Sequence, residues 1–462
     1  MLKNKNGRLL VSWIMVPLVA LIVLRDLLVS NTDYFLPMLI LEIISLGQLW
    51  IVYRHRKNRT TMEKLLICYA AWALLTRFLL LDFSTSVIPE VLIICEMCVA
   101  FYAMCSMESK KASCVFTLVT AILCAILTIG AMCAVFILLS DTGEIRVLNN
   151  ISIHIVTEKI ITTSGDLGIL RFVEFYPFHR NETAAWMMIG LWLLAYQWAT
   201  CKQKLWRIPI SYSMLLMYIS VALQTSRTVN ICVGFTIALL AASALLKLHW
   251  KKIPVYILMA VTVILCTFVV YKSFSMVSNG LVKISAAIHE TNTVTDMSPQ
   301  ETMDDDISEI ADSVATTEEL VLTDQRDFLR DLTTLTLRTK IWESEIDALV
   351  NHPLFLVFGQ READVANYLP APHTHNGFLQ VLAMYGVPGV ILLGAFLVLL
   401  LKKMLRIYFG NYQVSVKILT LPLFGLFIDS VMEPIFTAYI GLATICFMLI
   451  AGKLCREDTV SK

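Results

Sequence analysis

Residues 377–406 read GFLQVLAMYGVPGVILLGAFLVLLLKKMLR. From Gly377 to Leu401 no charged side chain occurs, and Lys402, Lys403 and Arg406 follow at once. A membrane-spanning helix needs about 20 mostly apolar residues, and Lys and Arg collect in cytoplasmic loops. The stretch therefore reads as a span whose C-terminal end faces the cytoplasm. The composition of the whole chain agrees. Its 462 residues are 57% apolar and only 16% charged, with a mean hydropathy of +0.71, too little charge to cover a soluble surface of that size. A net charge of +1 argues against a basic face for nucleic acid.

Working outward, comparable apolar runs lie near 9–28, 34–53, 65–82, 86–105, 113–139, 184–200, 208–224, 229–248, 253–272, 377–401, 415–432 and 435–452. Basic residues follow every second run: Arg54 to Lys64, Lys110 and Lys111, Lys202 to Arg207, Lys247 to Lys252, Lys402 to Arg406, then Lys453 and Arg456. This alternation predicts an all-α polytopic membrane protein of about twelve transmembrane helices, with both termini cytoplasmic. The chain then divides into helices 1–5 over residues 1–139, an outer loop at 140–183 and helices 6–9 over 184–272. A large outer loop at 273–375 follows, then helices 10–12 with a cytoplasmic tail over 376–462. Lys3, Lys5 and Arg8 before an apolar run resemble a signal sequence, yet no small-x-small cleavage site follows, so an uncleaved first span is expected.

All twelve cysteines lie in or beside apolar runs, and the two long polar loops contain none, so no disulfide framework is expected. Cys95-Glu-Met-Cys98 has the spacing of a redox pair but reads as two small apolar side chains within a span. Residues 290–331 are acidic and Ser/Thr-rich around Asp304-Asp305-Asp306. Adjacent carboxylates without fixed geometry read as solvated rather than as a metal site.

The polar stretch entering the quoted span is Pro372-His373-Thr374-His375-Asn376. From His375 the steps to Leu379, Leu382, Gly386 and Gly389 run four, three, four, three, one stripe of a helix whose glycines allow close packing. His375 stands at the outer tip of that stripe. Imidazole titrates near neutrality and can take a proton from a hydroxyl; a capping or interfacial histidine fits the same position. Asn376 suits a helix cap or the orientation of the imidazole.

His-Asn-x-x-Leu-x-x-Leu-x-x-x-Gly-x-x-Gly, entering a late span after a long outer loop, resembles the O-antigen ligase and polymerase superfamily. The preceding Arg338, Trp342 and His352-Pro353-Leu354 are similar too, although the chain keeps one glycine, Gly359, where the family commonly shows two. Thr225-Ser226-Arg227-Thr228 matches the family's Ser-Arg before an apolar helix, and Arg171 through Ala185 resembles its Arg-rich outer segment. The matches cover about residues 171 to 395, and the chain before them resembles the family in hydropathy alone.

The resemblance implies a metal-independent, inverting glycosyltransferase of the cytoplasmic (inner) membrane, with no cofactor. Its donor would be a glycan on a polyprenyl carrier such as undecaprenyl diphosphate, its acceptor a hydroxyl on the outer side. It further implies a flippase and chain-length regulators as partners. Under it His375 is the catalytic base, and Arg227 and Arg338 bind the diphosphate, since guanidinium forks donate paired hydrogen bonds to phosphate. Interfacial snorkelling is the plainer reading of those arginines. His373, Asn376 and Ser226 are supporting candidates, and Arg171, Arg180 and Glu433 are outward-facing candidates for glycan or diphosphate contact. Arg77 and Glu96, inside neighbouring spans, read as a structural ion pair.

A transporter, a peptidoglycan polymerase with an acidic base and a noncatalytic membrane partner are the rival classes. One oversized outer loop and charges gathered at the outer face argue against a transporter, whose halves are commonly related. Polymerisation of repeat units is preferred to ligation of finished chains because it needs one kind of substrate.

Overall fold

The computed structural model describes residues 60–80, 87–107, 109–139, 144–148, 151–161, 167–176, 180–223, 226–245, 336–361, 373–436 and 441–460, with single residues elsewhere. The expected spans at 9–28, 34–53 and 253–272 and the acidic stretch at 290–331 lie outside the described residues.

Helices dominate. They are α1 (Thr61–Leu79), α2 (Val87–Ser106), α3 (Ser109–Leu139), α4 (Arg180–Thr200), α5 (Lys204–Leu223) and α6 (Arg227–Leu245). The rest are α7 (Thr336–Asn351), α8 (Pro353–Phe358), α9 (Gly377–Phe409), α10 (Val414–Ile418), α11 (Thr420–Asp429) and α12 (Gly441–Val460). Each of the nine other expected spans overlaps a described helix, because each apolar run is long and poor in turn residues. The run expected as one span at 415–432 is divided into α10 and α11. Among the described residues α9 is the one helix long and apolar enough to cross a membrane by itself; the apolar stretches Ile93–Ser106, Lys111–Ile126 and Thr228–Leu240 are shorter.

The all-α expectation needs one correction. Within the segment read as an outer loop at 140–183, β1 (Glu144–Leu148), β2 (Ile151–Ile161) and β3 (Leu167–Tyr176) form an antiparallel sheet in the order β1-β2-β3. Glu158 pairs with Leu170 and Thr157 with Arg171, and the register shifts between Arg146 and Leu148. Ile151, Ile153 and Ile155 alternate with Ser152 and His154, a β-branched period of two that a search for long apolar runs passes over.

The described core is continuous. α2 is buried on all sides from Ile93 to Cys105 and packs on α12, where Cys105 Sγ approaches the Gly452 carbonyl at 3.3 Å. α1 opens with a capping box, Thr60 accepting from the Glu63 N–H while Glu63 accepts from the Thr60 N–H. It packs along α9.

α9 is not straight. Gly386 has φ 66 and ψ −173, with Pro388 two residues later, so the helix kinks there. A side chain at Gly386 would meet the Val357 carbonyl at 2.5 Å, and one at Gly359 (φ 77) would run into the Met384 carbonyl. The two glycines therefore let α8 lie against the kink. Carbonyls freed by the kink find donors elsewhere: Trp72 Nε1 donates to Tyr385 O at 2.8 Å, and Arg77 Nη2 to Met384 O at 2.8 Å. Arg77 Nη1 also donates to Gln360 O at 2.8 Å, joining α1 to the chain after α8. The single stripe expected from His375 to Gly389 is thus corrected twice, since His375 precedes the helix and the kink divides it.

Candidate active site

The start of α9 is where distant segments converge. Asn376 is its N-cap, accepting from the Phe378 and Leu379 N–H groups at 3.0 and 2.9 Å. Asn376 Nδ2 donates to Val431 O at 2.9 Å, and the Gly377 N–H to Ser430 O at 2.7 Å. Both bonds seat the helix on the turn that follows α11. On the other side Trp342 of α7 donates to Thr374 O at 2.8 Å.

Glu433 is the hub of this convergence and only 3% exposed. Its Oε1 accepts from Arg338 Nη2 at 3.0 Å and from Asn181 Nδ2 at 2.7 Å. Its Oε2 lies 3.6 Å from His375 Nδ1. Burial alone would raise this carboxyl. The His375 ring, the Arg338 guanidinium and His373 outweigh it and hold Glu433 below the usual carboxylate range.

His375 has φ 50, the left-handed region, and is the one non-glycine residue there among the described residues. Such a conformation costs about 1–3 kcal/mol and persists only where neighbours impose it. The neighbours here are the helix cap and His373, whose ring centroid is 4.0 Å from that of His375. His373 Nδ1 accepts the His375 N–H at 3.2 Å, so that nitrogen carries no proton in this arrangement.

The sequence candidates fall into two groups. His375, His373, Asn376, Arg338 and Glu433 come together. Ser226 is buried at the start of α6, its carbonyl accepting from the Asn230 N–H at 3.0 Å. Arg227 opens α6, Arg180 opens α4 and Arg171 stands on β3; their side chains lie outside the described residues.

Two residues join the site that sequence reasoning did not nominate. Asn181 binds Glu433 directly, and its sequence signal is its place in the family-like segment from Arg171 to Ala185, as the polar residue leading into an apolar run. Asp429, one turn before Glu433, is fully buried, faces Cys232 of α6 and donates no proton to, nor accepts one from, any described side chain. Its signal is a carboxylate four residues before another.

Fold and site together define a class: a mostly helical protein with a buried carboxylate tying an arginine and a histidine to the entrance of a long apolar helix. Residues 212–394, about two-fifths of the chain, match the family model described as O-Antigen ligase. Over that stretch the chain is similar to the O-antigen ligase family. The matched stretch contains Ser226, Arg227, Arg338, His373, His375 and Asn376; Asn181 and Glu433 lie beyond it. No curated protein and no solved structure matches the chain.

Proposed function

We propose that the protein moves a glycan from a polyprenyl diphosphate to an acceptor hydroxyl on the outer side of the cytoplasmic membrane, extending a surface polysaccharide by repeat units. The observation that carries this reading is the Glu433 contact to both His375 and Arg338. A carboxylate at Nδ1 favours the tautomer with the proton on that nitrogen and leaves Nε2 as the basic position. Nε2 of His375 then takes the acceptor's proton as its oxygen forms a bond to the anomeric carbon. The bond from that carbon to the diphosphate breaks with its electron pair, and the polyprenyl diphosphate leaves. One displacement inverts the anomeric centre.

Arg338 spends one N–H on Glu433 and has further donors for phosphate oxygens. Arg227, at the start of α6, is the second arginine assigned to the diphosphate. Asn181 and His373 position Glu433 and His375 and do not touch substrate. No step here uses a metal, a cofactor or a nucleotide sugar.

The test is the surface-glycan gel profile of a deletion strain complemented with wild type or His375→Asn. Single repeat units stalled in the variant support polymerisation. Long chains retained on the polyprenyl carrier identify a ligase, and a normal ladder at normal protein level removes His375 as the base.

A further inference from the structure

α7 carries Arg338 into the site, and Glu345 follows on the same helix. The spacing is close to two helical turns, so both side chains leave one face. Glu345 and Gln360, the latter just beyond α8, have no solvent exposure. Gln360 Nε2 donates to Glu345 Oε1 at 2.7 Å. The other half of this pair is open. Glu345 Oε2 and Gln360 Oε1 are both buried, and neither has a partner among the described residues. Two such oxygens on groups already bonded to each other are satisfied by a proton placed between them. A carboxylic acid supplies it, because an acid and a primary amide each offer one donor and one acceptor side by side. Buried polar atoms are nearly always paired, and a buried carboxylate left unpaired is costly.

The amide is itself fixed. The Gln360 N–H donates to Ala383 O at 2.7 Å, and Gln360 O accepts from Arg77 Nη1 at 2.8 Å. α7 is thus held at two places along α9. Trp342, one turn after Arg338, donates to Thr374 O at the entrance, and Glu345 reaches the kink through Gln360. Burial pushes the Glu345 carboxyl up to about 7, with the Gln360 hydrogen bond opposing part of the rise. The charged and titratable groups on the surrounding elements are Arg77 of α1, which lies over the Tyr385 ring of α9, His352 before α8, and the exposed Arg361–Asp364 pair after it. On α7 itself Lys340, Glu343 and Asp347 are exposed.

We propose that Glu345 is a positioning residue for Arg338: as a neutral acid it donates from Oε2 to Gln360 Oε1, completes a two-point pair and fastens α7 to the kink of α9. Loss of that proton to water leaves one bond and sets two lone-pair oxygens against each other, so α7 loosens and Arg338 loses its fixed place. The effect on transfer rests on the proposed function, which takes Arg338 as a diphosphate ligand; the pair itself does not.

The experiment compares the full-length wild type with Glu345→Gln, which carries the donor at every pH, and with Glu345→Ala. The infrared difference spectrum, wild type minus Glu345→Gln, should show a neutral carboxyl band at pH 6 that has nearly gone by pH 8. Initial rates of transfer from a polyprenyl diphosphate donor should give a ratio of Glu345→Gln to wild type that climbs about tenfold from pH 6 to pH 8, the titration of one group near 7. His375 titrates in both chains and drops out of the ratio. Glu345→Ala should be slower than Glu345→Gln throughout. A missing carboxyl band at pH 6, a ratio flat with pH, or equal rates for the two variants overturns the proposal. A chain that transfers no glycan at all removes the proposed function and leaves the pair testable by hydrogen exchange. The folded-state pKa of Glu345 lies above its unfolded value, so its stabilisation is complete below the unfolded value and is lost as pH rises through the folded one. Exchange at residues 353–360, wild type relative to Glu345→Gln, should therefore climb from pH 5 to pH 8, and a constant ratio would overturn the pair.

Discussion

At the scale of residues, His375 combines a chemical and a conformational requirement. Its left-handed backbone is tolerated by Asn but costs other side chains about 1–2 kcal/mol. His375→Asn should therefore melt within a degree or two of wild type while transfer falls about 10²–10⁴-fold, the usual worth of a general base. His375→Ala should lose both activity and some stability, and a detergent melt with a transfer assay on each variant checks the pair. Glu433 gives a pH prediction. Its folded-state pKa is depressed, so the stability it contributes is complete above its unfolded value and is lost as pH falls through the folded one. The difference in melting temperature between wild type and Glu433→Gln should stay constant from pH 7 to about 5 and shrink on further acidification. A difference that grew instead would contradict the assigned charge. The contact also changes how the rival with an acidic base is tested. His375 and Glu433 adjoin, so replacing either disturbs both, and pH–rate profiles of the two variants are the cleaner comparison.

At the scale of elements, the kink of α9 and the α7–α8 hairpin form one unit held by Arg77. Arg77→Met removes the donors to Gln360 O and Met384 O, and hydrogen bonds from a charged donor contribute about 1.5–3 kcal/mol each. Hydrogen exchange should then rise at residues 353–360 before it rises in α2. Gly386→Ala should destabilise by about 1–3 kcal/mol or more, since its backbone conformation is nearly exclusive to glycine and the Val357 carbonyl occupies the side-chain position. The sequence marked these glycines as a place of close packing, and that part was legible because glycine in an apolar helix has few other uses. The kink was not, because the donors that make it affordable come from Trp72 and Arg77, some 300 residues earlier in the chain. The sheet at 144–176 was missed for another reason: strands of 5, 11 and 10 residues lie below the window that detects spans, and β2 mixes apolar and charged positions.

At the scale of the whole molecule, hydropathy alone indicated where helices lie among the described residues, whereas the assembly of the site was not readable. Three candidates, His375, Arg338 and Glu433, are 37 and 58 residues from the middle one in sequence and meet only through tertiary packing. The motif around His375 pointed to the place where these side chains meet, and the family-like segment from Arg171 to Ala185 contains Asn181; that Asn181 contacts Glu433, and that Asp429 lies one turn away, needed the fold. The topology proposed from the basic residues predicts that a single cysteine at Asn351, in an otherwise cysteine-free chain, reacts with an impermeant maleimide from outside intact cells. A chain retaining Cys201 alone should react only after the cells are opened, and the reverse pattern would invert the membrane orientation. The most direct test of the central claim is the initial rate of glycan transfer from a polyprenyl diphosphate donor by purified wild type and His375→Asn at equal folded concentration. The account predicts a loss of about 10²–10⁴-fold with little change in donor KM. A rate close to wild type would mean that the histidine at the entrance of α9 does not take the acceptor's proton.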